Sequence, residues 1–194
     1  DMCKGSKLTT YIPRKADPSV SKDRIHSEGG ITNAVYDSGA LYFGTSDGLL
    51  RCFSVDREKG FKEIWNYVPG WASDDPGRQI RGCFYYHPPV ICDQGGKKCV
   101  MIGNYGGGLV CVDALTGTGI WDQKVTDSHG NMVGQATSIT LCPGGRALVC
   151  YSGGEMSSAG GGIMLVSVSD GSVIWKQDIR CGRPVVSGDR FYSY

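Results

Sequence analysis

Three copies of one sequence pattern constrain the fold of this chain more than any other feature. Segments ending in Ile-Trp at Trp65, Trp121 and Trp175 superimpose, with the tryptophans 56 and 54 residues apart. Each copy contains short apolar runs rich in Val, Ile, Tyr or Phe, separated by turns that contain glycine. Such runs are typical of strands. Each copy therefore predicts four strands once the apolar segment before it is counted (ITNAVYDSG, PPVICDQGG and ATSITLCPGG).

Composition agrees with an all-β chain. Of the 194 residues, 30 are glycine, about twice the roughly 7% of average usage. There is no Gly-X-Y period, so the glycines indicate tight turns. The 20 basic and 19 acidic residues nearly balance, and they form no block that would follow a nucleic-acid backbone. No apolar run approaches the roughly 18 residues of a membrane-spanning helix.

Four-stranded units in tandem predict the blades of a β-propeller, because a single antiparallel sheet cannot bury both of its faces and radial stacking can. We expect three blades and part of a fourth, and residues 1–25 form a connection or part of a preceding blade. Such a set cannot close a ring. Either further blades in the same protein or another chain is expected to complete it. The expected blades are about 26–69, 88–126 and 135–180, with the partial blade at 181–194.

The segment VDALTGTGIW resembles the tail of the pyrroloquinoline-quinone-type propeller repeat, the repeat of quinoprotein dehydrogenases. The other two copies are looser, with Ser54 and Ser167 where Asp113 stands. The resemblance implies that Gly117 closes the turn between the third and fourth strands. It also implies that the tryptophan of each copy packs between neighbouring blades, which would be the role of Trp65, Trp121 and Trp175.

The same resemblance raises an enzymatic alternative, a fragment of a quinone- and calcium-dependent alcohol or sugar dehydrogenase. In that family a Glu about twenty residues before a blade Trp binds calcium beside pyrroloquinoline quinone, and Glu155 lies twenty residues before Trp175. A carboxylate oxygen suits calcium. However, the family's Arg after that Glu and its adjacent Cys-Cys pair are missing from this sequence. The other interpretation of Glu155 is a solvated residue in a glycine-rich loop, and we expect neither cofactor nor catalytic residues.

Two cysteine pairs bracket equivalent turns, Cys92 with Cys99 and Cys142 with Cys150. Directly opposed residues of a hairpin are close enough for a disulfide. Each pair is therefore either a bridge between the first and second strands of its blade or a set of small apolar residues. Disulfides would favour an oxidising location, and hence a secreted, periplasmic or cell-surface protein.

One long connection follows the first blade and is rich in aromatic and basic residues, a mixture typical of interface hot spots. Long loops on a rigid β scaffold often carry recognition. Either this segment binds a partner or its aromatic residues cap a blade edge. We expect a non-catalytic binding or scaffold module that recognises a protein or an extended ligand through its loops. The candidate interface residues are Trp71, Arg78, Arg81, Phe84, Tyr85 and Tyr86.

Overall fold

The structure is a computed structural model, and it describes most of the repeat region. Residues 1–25, the interface candidates between Trp71 and Tyr86, and Glu155 lie outside the described residues. The described ranges are 32–45, 48–56, 58–69, 87–104, 108–126, 136–153, 161–179, 183–188 and 190–192.

These residues form fourteen strands in three four-stranded antiparallel sheets and one hairpin, each in simple sequence order. Blade 1 contains β1 (Val35–Asp37), β2 (Ala40–Gly44), β3 (Leu50–Asp56) and β4 (Gly60–Tyr67). Blade 2 contains β5 (Val90–Gln94), β6 (Lys97–Gly103), β7 (Gly108–Asp113) and β8 (Gly119–Lys124). Blade 3 contains β9 (Ala136–Cys142), β10 (Arg146–Ser152), β11 (Gly161–Ser167) and β12 (Val173–Gln177), and the hairpin contains β13 (Val185–Ser187) and β14 (Arg190–Tyr192).

Successive sheets meet through their first strands. β1 contacts β5, β5 contacts β9, and β9 contacts β13. Each blade therefore has its first strand innermost, and the sheets are stacked face to face around that side, as in a propeller. This confirms the all-β propeller class, with three blades and the first hairpin of a fourth. Among the described residues, no helix is long and apolar enough to cross a bilayer.

Blade 2 is buried on both faces, which explains why its strands are almost continuously apolar. On β6, Val100 and Ile102 pack toward blade 1, whereas Cys99 and Met101 pack toward blade 3. Successive side chains of a strand point to opposite faces, so this alternation separates two inter-blade cores. The apolar surface buried between blades is the main favourable term that holds the stack together.

Each fourth strand is irregular at the same place. In all three blades the register shifts at the Ile-Trp dipeptide, which leaves Ile64, Ile120 and Ile174 without a partner opposite. Such a β-bulge twists the strand locally and re-aims the neighbouring side chain. The conformation of the outer strand thus turns the tryptophan toward the following blade.

The two ends of the blades differ. At one end, the turn end, short glycine turns such as Gly95–Gly96 join first to second strands, and Asp113–Thr118 and its counterparts join third to fourth strands. At the other end, the loop end, first and third strands begin, and the longer connections between blades enter and leave. The loop end therefore has the longer segments, the kind that carry recognition on a rigid β scaffold.

Candidate functional site

The repeat tryptophans fasten each blade to the next one. The indole Nε1 of Trp65 donates to the backbone carbonyl of Ala114 at 3.1 Å, and that of Trp121 donates to the carbonyl of Val168 at 2.8 Å. A Cβ at Gly117 would lie 2.6 Å from the Trp65 ring, and a Cβ at Gly171 would lie 2.7 Å from the Trp121 ring. Both glycines have φ near +70°, a region that other residues avoid. The two tryptophans thus lie over glycine turns of the following blade.

Trp175 occupies the same position in blade 3 but is 39% exposed, against 8% for Trp65. Its ring centroid lies 6.3 Å from that of Phe191 on the following hairpin. The described hairpin supplies first and second strands but not the turn between third and fourth strands that covers Trp65 and Trp121. The indole therefore remains partly open to solvent.

Asp113 organises the turn that receives Trp65. Its Oδ1 accepts hydrogen bonds from the backbone N–H groups of Leu115 and Thr116 at 3.0 and 2.8 Å. These bonds, that of Thr116 foremost, hold the pKa of Asp113 below its usual value. In blade 1, Ser54 has the same register position, but Asp56 accepts the equivalent pair of backbone bonds. The alignment of Ser54 with Asp113 thus predicts the strand register. Because the hairpin of blade 1 is longer, the carboxylate that accepts the two backbone hydrogen bonds lies two residues later, at Asp56.

Buried polar side chains collect at the loop end. Six of them lie within three residues of a strand terminus there, which is unusual because polar groups lose hydration on burial. Three atoms among them have no hydrogen-bond partner in the described structure: His87 Nε2, Asn104 Nδ2 and Ser138 Oγ. Unpartnered buried polar atoms are rare in folded proteins and call for a physical explanation. The six residues are Thr32, Thr45, Arg51, His87, Asn104 and Ser138.

His87 immediately precedes Pro88 and β5 and is only 3% exposed. Burial lowers the pKa of its imidazole, and the charge of Arg183 acts in the same direction. The ring is therefore neutral near pH 7. Its Nδ1 lies 3.0 Å from the carbonyl oxygen of Pro88, and the backbone of Ala136 likewise favours the charged ring and so raises the pKa. A neutral imidazole has one N–H, so it can donate to only one of these two backbone groups.

Asn104 directly follows β6, whose last residue, Gly103, lies next to the His87 ring. A Cβ built on Gly103 would collide with Ala136 and would lie 3.4 Å from His87 Nε2. Asn104 Oδ1 accepts from the backbone N–H of Gly108 at 2.6 Å, which leaves the amide Nδ2 as a donor. The loop end thus offers a ring nitrogen of His87 and a donor on Asn104, beside a position that only glycine fits.

His87, Asn104 and Ser138 are not among the candidate residues predicted from the sequence. The available signal was positional, since His87 and Pro88 stand directly before a first strand and Asn104 directly follows a second strand. The six interface candidates from Trp71 to Tyr86 lie outside the described residues, as does Glu155. The interface segment nevertheless leads directly into His87, so it joins the scaffold at the loop end.

Blade 2 contains a cluster of three cysteines on the face that packs against blade 3. Cys92 and Cys99 are directly opposed on β5 and β6, with their Sγ atoms 2.9 Å apart. Cys111 lies on β7, and all three Sγ atoms are within 4.8 Å of one another. Hydrogen bonds from Cys111 and Cys92 lower the pKa of the Cys99 thiol. The two cysteine pairs selected from the sequence do not include Cys111, the third thiol of the cluster.

The second cysteine pair is not arranged for a disulfide. Cys142 lies opposite Arg146, and Cys150 lies opposite Ser138. Arg146 is four residues from Cys150 along β10, which is about 13 Å at roughly 3.3 Å per residue. A disulfide requires Cα atoms within about 7 Å, so the expectation of a Cys142–Cys150 bridge is wrong. The turn 143–145 begins directly after Cys142 and is therefore not centred between the two cysteines.

No protein-family model matches this chain, and no curated protein matches it at the threshold used. Solved structures do match. A europium-containing methanol dehydrogenase aligns with a TM-score of 0.54 and 17% identity over 74% of this chain and 23% of that chain. A quinohemoprotein alcohol dehydrogenase from Pseudomonas putida HK5 aligns with a TM-score of 0.54 and 18% identity over 75% and 26%. The computationally designed Ika4 protein aligns with a TM-score of 0.57 and 12% identity over 86% of each chain.

At these identities the likeness shows the fold alone. It supports the propeller architecture that the pyrroloquinoline-quinone-type repeat implied. The chain spans about a quarter of the length of the two dehydrogenases.

Proposed function

We propose that this chain is a non-catalytic β-propeller binding module that recognises a protein partner through its loop end. The observation that carries the proposal is the set of buried, unpartnered polar atoms at that end, on His87, Asn104 and Ser138. A buried donor or acceptor without a partner costs roughly 1–3 kcal/mol. A partner that supplies the missing hydrogen bonds would recover part of this free energy.

The two ends of the blades support the same assignment. The turn end consists of short turns whose polar groups bond one another, as in the Asp113 turn. The loop end receives the long connection from residue 70 to residue 86, whose aromatic and arginine side chains have the composition of interface hot spots. His87 continues directly from that connection. A bound partner would therefore contact the aromatic segment and the polar scaffold residues together.

The experiment compares the two ends by site-specific photocrosslinking. A photoreactive amino acid is introduced at Tyr85 for the loop end, and at Leu115 for the turn end, where the side chain is 83% exposed. The full chain is then irradiated in an extract of its own cells. We expect one crosslinked protein from Tyr85 and not from Leu115, and we expect it to disappear when Trp71 and Tyr86 are changed to alanine.

Equal crosslinking from both positions, or a product that survives the alanine substitutions in a chain that still folds, would contradict the proposal. An extended non-protein ligand would give no protein adduct from Tyr85. Circular dichroism of each variant serves as the folding control.

The enzymatic alternative has its own measurement. A fragment of a quinone-dependent dehydrogenase requires binding of pyrroloquinoline quinone that depends on calcium and is lost in Glu155→Gln. Such binding in the wild-type chain, measured by calorimetry, would replace the binding-module assignment.

The location of the protein belongs to the same proposal. A Cys92–Cys99 disulfide is compatible with the opposed register of these residues and would favour a secreted, periplasmic or cell-surface protein. The remaining blades or a second chain would complete the ring beyond Trp175.

A further inference from the structure

We propose that the reduced thiols of Cys92, Cys99 and Cys111 form a three-coordinate binding site for monovalent copper between blades 2 and 3, a state that a Cys92–Cys99 disulfide would exclude. These residues are the one group of three or more Cys, His, Asp or Glu side chains in the described part of the chain whose donor atoms are close enough to share an ion. The inference is independent of the loop end, since the cysteines lie between the sheets.

The distances suit a shared ion after a small adjustment. With metal–sulfur bonds of about 2.3 Å, three sulfur atoms around a central ion are about 4 Å apart. The three Sγ atoms already lie within 4.8 Å of one another, and those of Cys92 and Cys99 are 2.9 Å apart. Binding therefore requires this pair to separate by about 1 Å, a movement that side-chain rotation provides.

The donor set selects a soft ion. Thiolate and thioether ligands favour monovalent copper and zinc, whereas hard ions prefer oxygen. Structural zinc usually has four ligands, and no fourth Cys, His or carboxylate joins this group among the described residues. The same apolar cluster also contains the thioethers of Met101 and Met164. Three sulfur donors without a fourth strong ligand favour copper over zinc.

The propeller fold does not require cysteine at these positions. Blade 1 has Asp37 and Ala40 at the register positions of Cys92 and Cys99. Blade 3 has Leu165, opposite Trp175, at the position that Cys111 occupies opposite Trp121. Single cysteines occur at two of these positions in the other blades, Cys52 opposite Trp65 and Cys142 opposite Arg146, but among the described residues only blade 2 unites three thiols.

The ion also has a short route to the site. Cys92 is 5% exposed and lies three residues from Gly95, at the exposed tip of the turn between β5 and β6. Transient opening of this turn would admit the ion without separating the blades.

The test uses the full chain, completely reduced and free of oxygen, titrated with monovalent copper in competition with a chromophoric copper chelator. We expect one copper per chain, bound by sulfur in the X-ray absorption spectrum. Two variants copy the neighbouring blades so that folding is preserved. Cys99→Ala reproduces Ala40, and Cys111→Leu reproduces Leu165.

Each variant should weaken copper binding by more than roughly 100-fold, the upper limit reported for loss of an outer ligand partner. The matched control is Cys52→Leu, because Cys52 is buried opposite Trp65 at the blade 1 position of Cys111. It should bind copper like the wild type. Equal copper affinity in the Cys52 and Cys111 variants, no uptake by the wild type, or equally tight zinc in a parallel titration would overturn the proposal.

Discussion

The substitution Gly117→Ala tests whether the contact between an indole and a glycine turn holds neighbouring blades together. The new Cβ would lie 2.6 Å from the Trp65 ring. The ring cannot withdraw freely, because its Nε1 bonds to Ala114 on the same turn. Adding a methyl group to a packed site costs about 1–3 kcal/mol, and a left-handed alanine costs about 1–2 kcal/mol. The free energy of unfolding should therefore fall by about 2–5 kcal/mol.

Gly95→Ala is the matched control. Its φ is +64°, close to the +72° of Gly117, but a Cβ there has nothing within 4 Å. It should lose only the backbone part, about 1–2 kcal/mol. Urea denaturation of both variants, followed by circular dichroism, gives the difference directly. Equal losses in the two variants would show that the Trp65 contact does not hold the blades together.

Three further predictions concern individual side chains. Burial lowers the pKa of His87, so below about pH 6.5 the unfolded chain binds more protons than the folded chain does. The free energy of unfolding should therefore decrease as the pH is lowered, by at most about 1.4 kcal/mol per pH unit. In urea titrations between about pH 7 and 5.5, His87→Gln should lose this dependence. Asp113→Ala should cost about 1 kcal/mol at pH 7, and since the pKa of Asp113 is lowered, the difference from the wild type should vanish as the pH falls through that lowered value. If Cys92 and Cys99 form a disulfide, the air-exposed chain should be about 2 Da lighter than the reduced one, and a peptide map should find these two residues joined; two free thiols would refute the bridge.

The sequence predicted the architecture because each blade repeats the same local signals. Glycine turns, alternating apolar runs and a closing Ile-Trp identify four strands and their order without any long-range information. The role of Trp65 came from the family resemblance, but its partner did not. Identifying Gly117 of the next blade as its contact requires the angle between two sheets, which no single repeat specifies.

The cysteines were harder to predict because disulfide geometry depends on register. Cys92 and Cys99 are seven positions apart and are centred on the turn Gly95–Gly96, so they lie directly opposite each other. The turn in blade 3 begins directly after Cys142, so Cys142 lies opposite Arg146 and Cys150 lies opposite Ser138. Cys111 lies diagonally across the strands from the other two cysteines, so the spacing in the sequence does not reveal that the three thiols are close together.

The loop end was the least predictable part. His87 and Asn104 do not stand out in the sequence, and the burial of His87 depends on residues far along the chain, such as Gly103 and Ala136. Polar groups become informative only when burial removes water from them.

The contacts between tryptophans and glycine turns also form in a fixed order while the chain is synthesised. Each indole is covered by the blade that follows it in the sequence, so a chain synthesised from its N terminus makes the tryptophan before its cover. Gly117 follows Trp65 by 52 residues (117 minus 65), and Gly171 follows Trp121 by 50 (171 minus 121). At roughly 5–20 residues per second on the ribosome, the glycine turn that covers each indole is synthesised about 3–10 s after the tryptophan. During synthesis the tryptophan of the newest blade is therefore uncovered. At this stage its aromatic side chain is accessible to a chaperone.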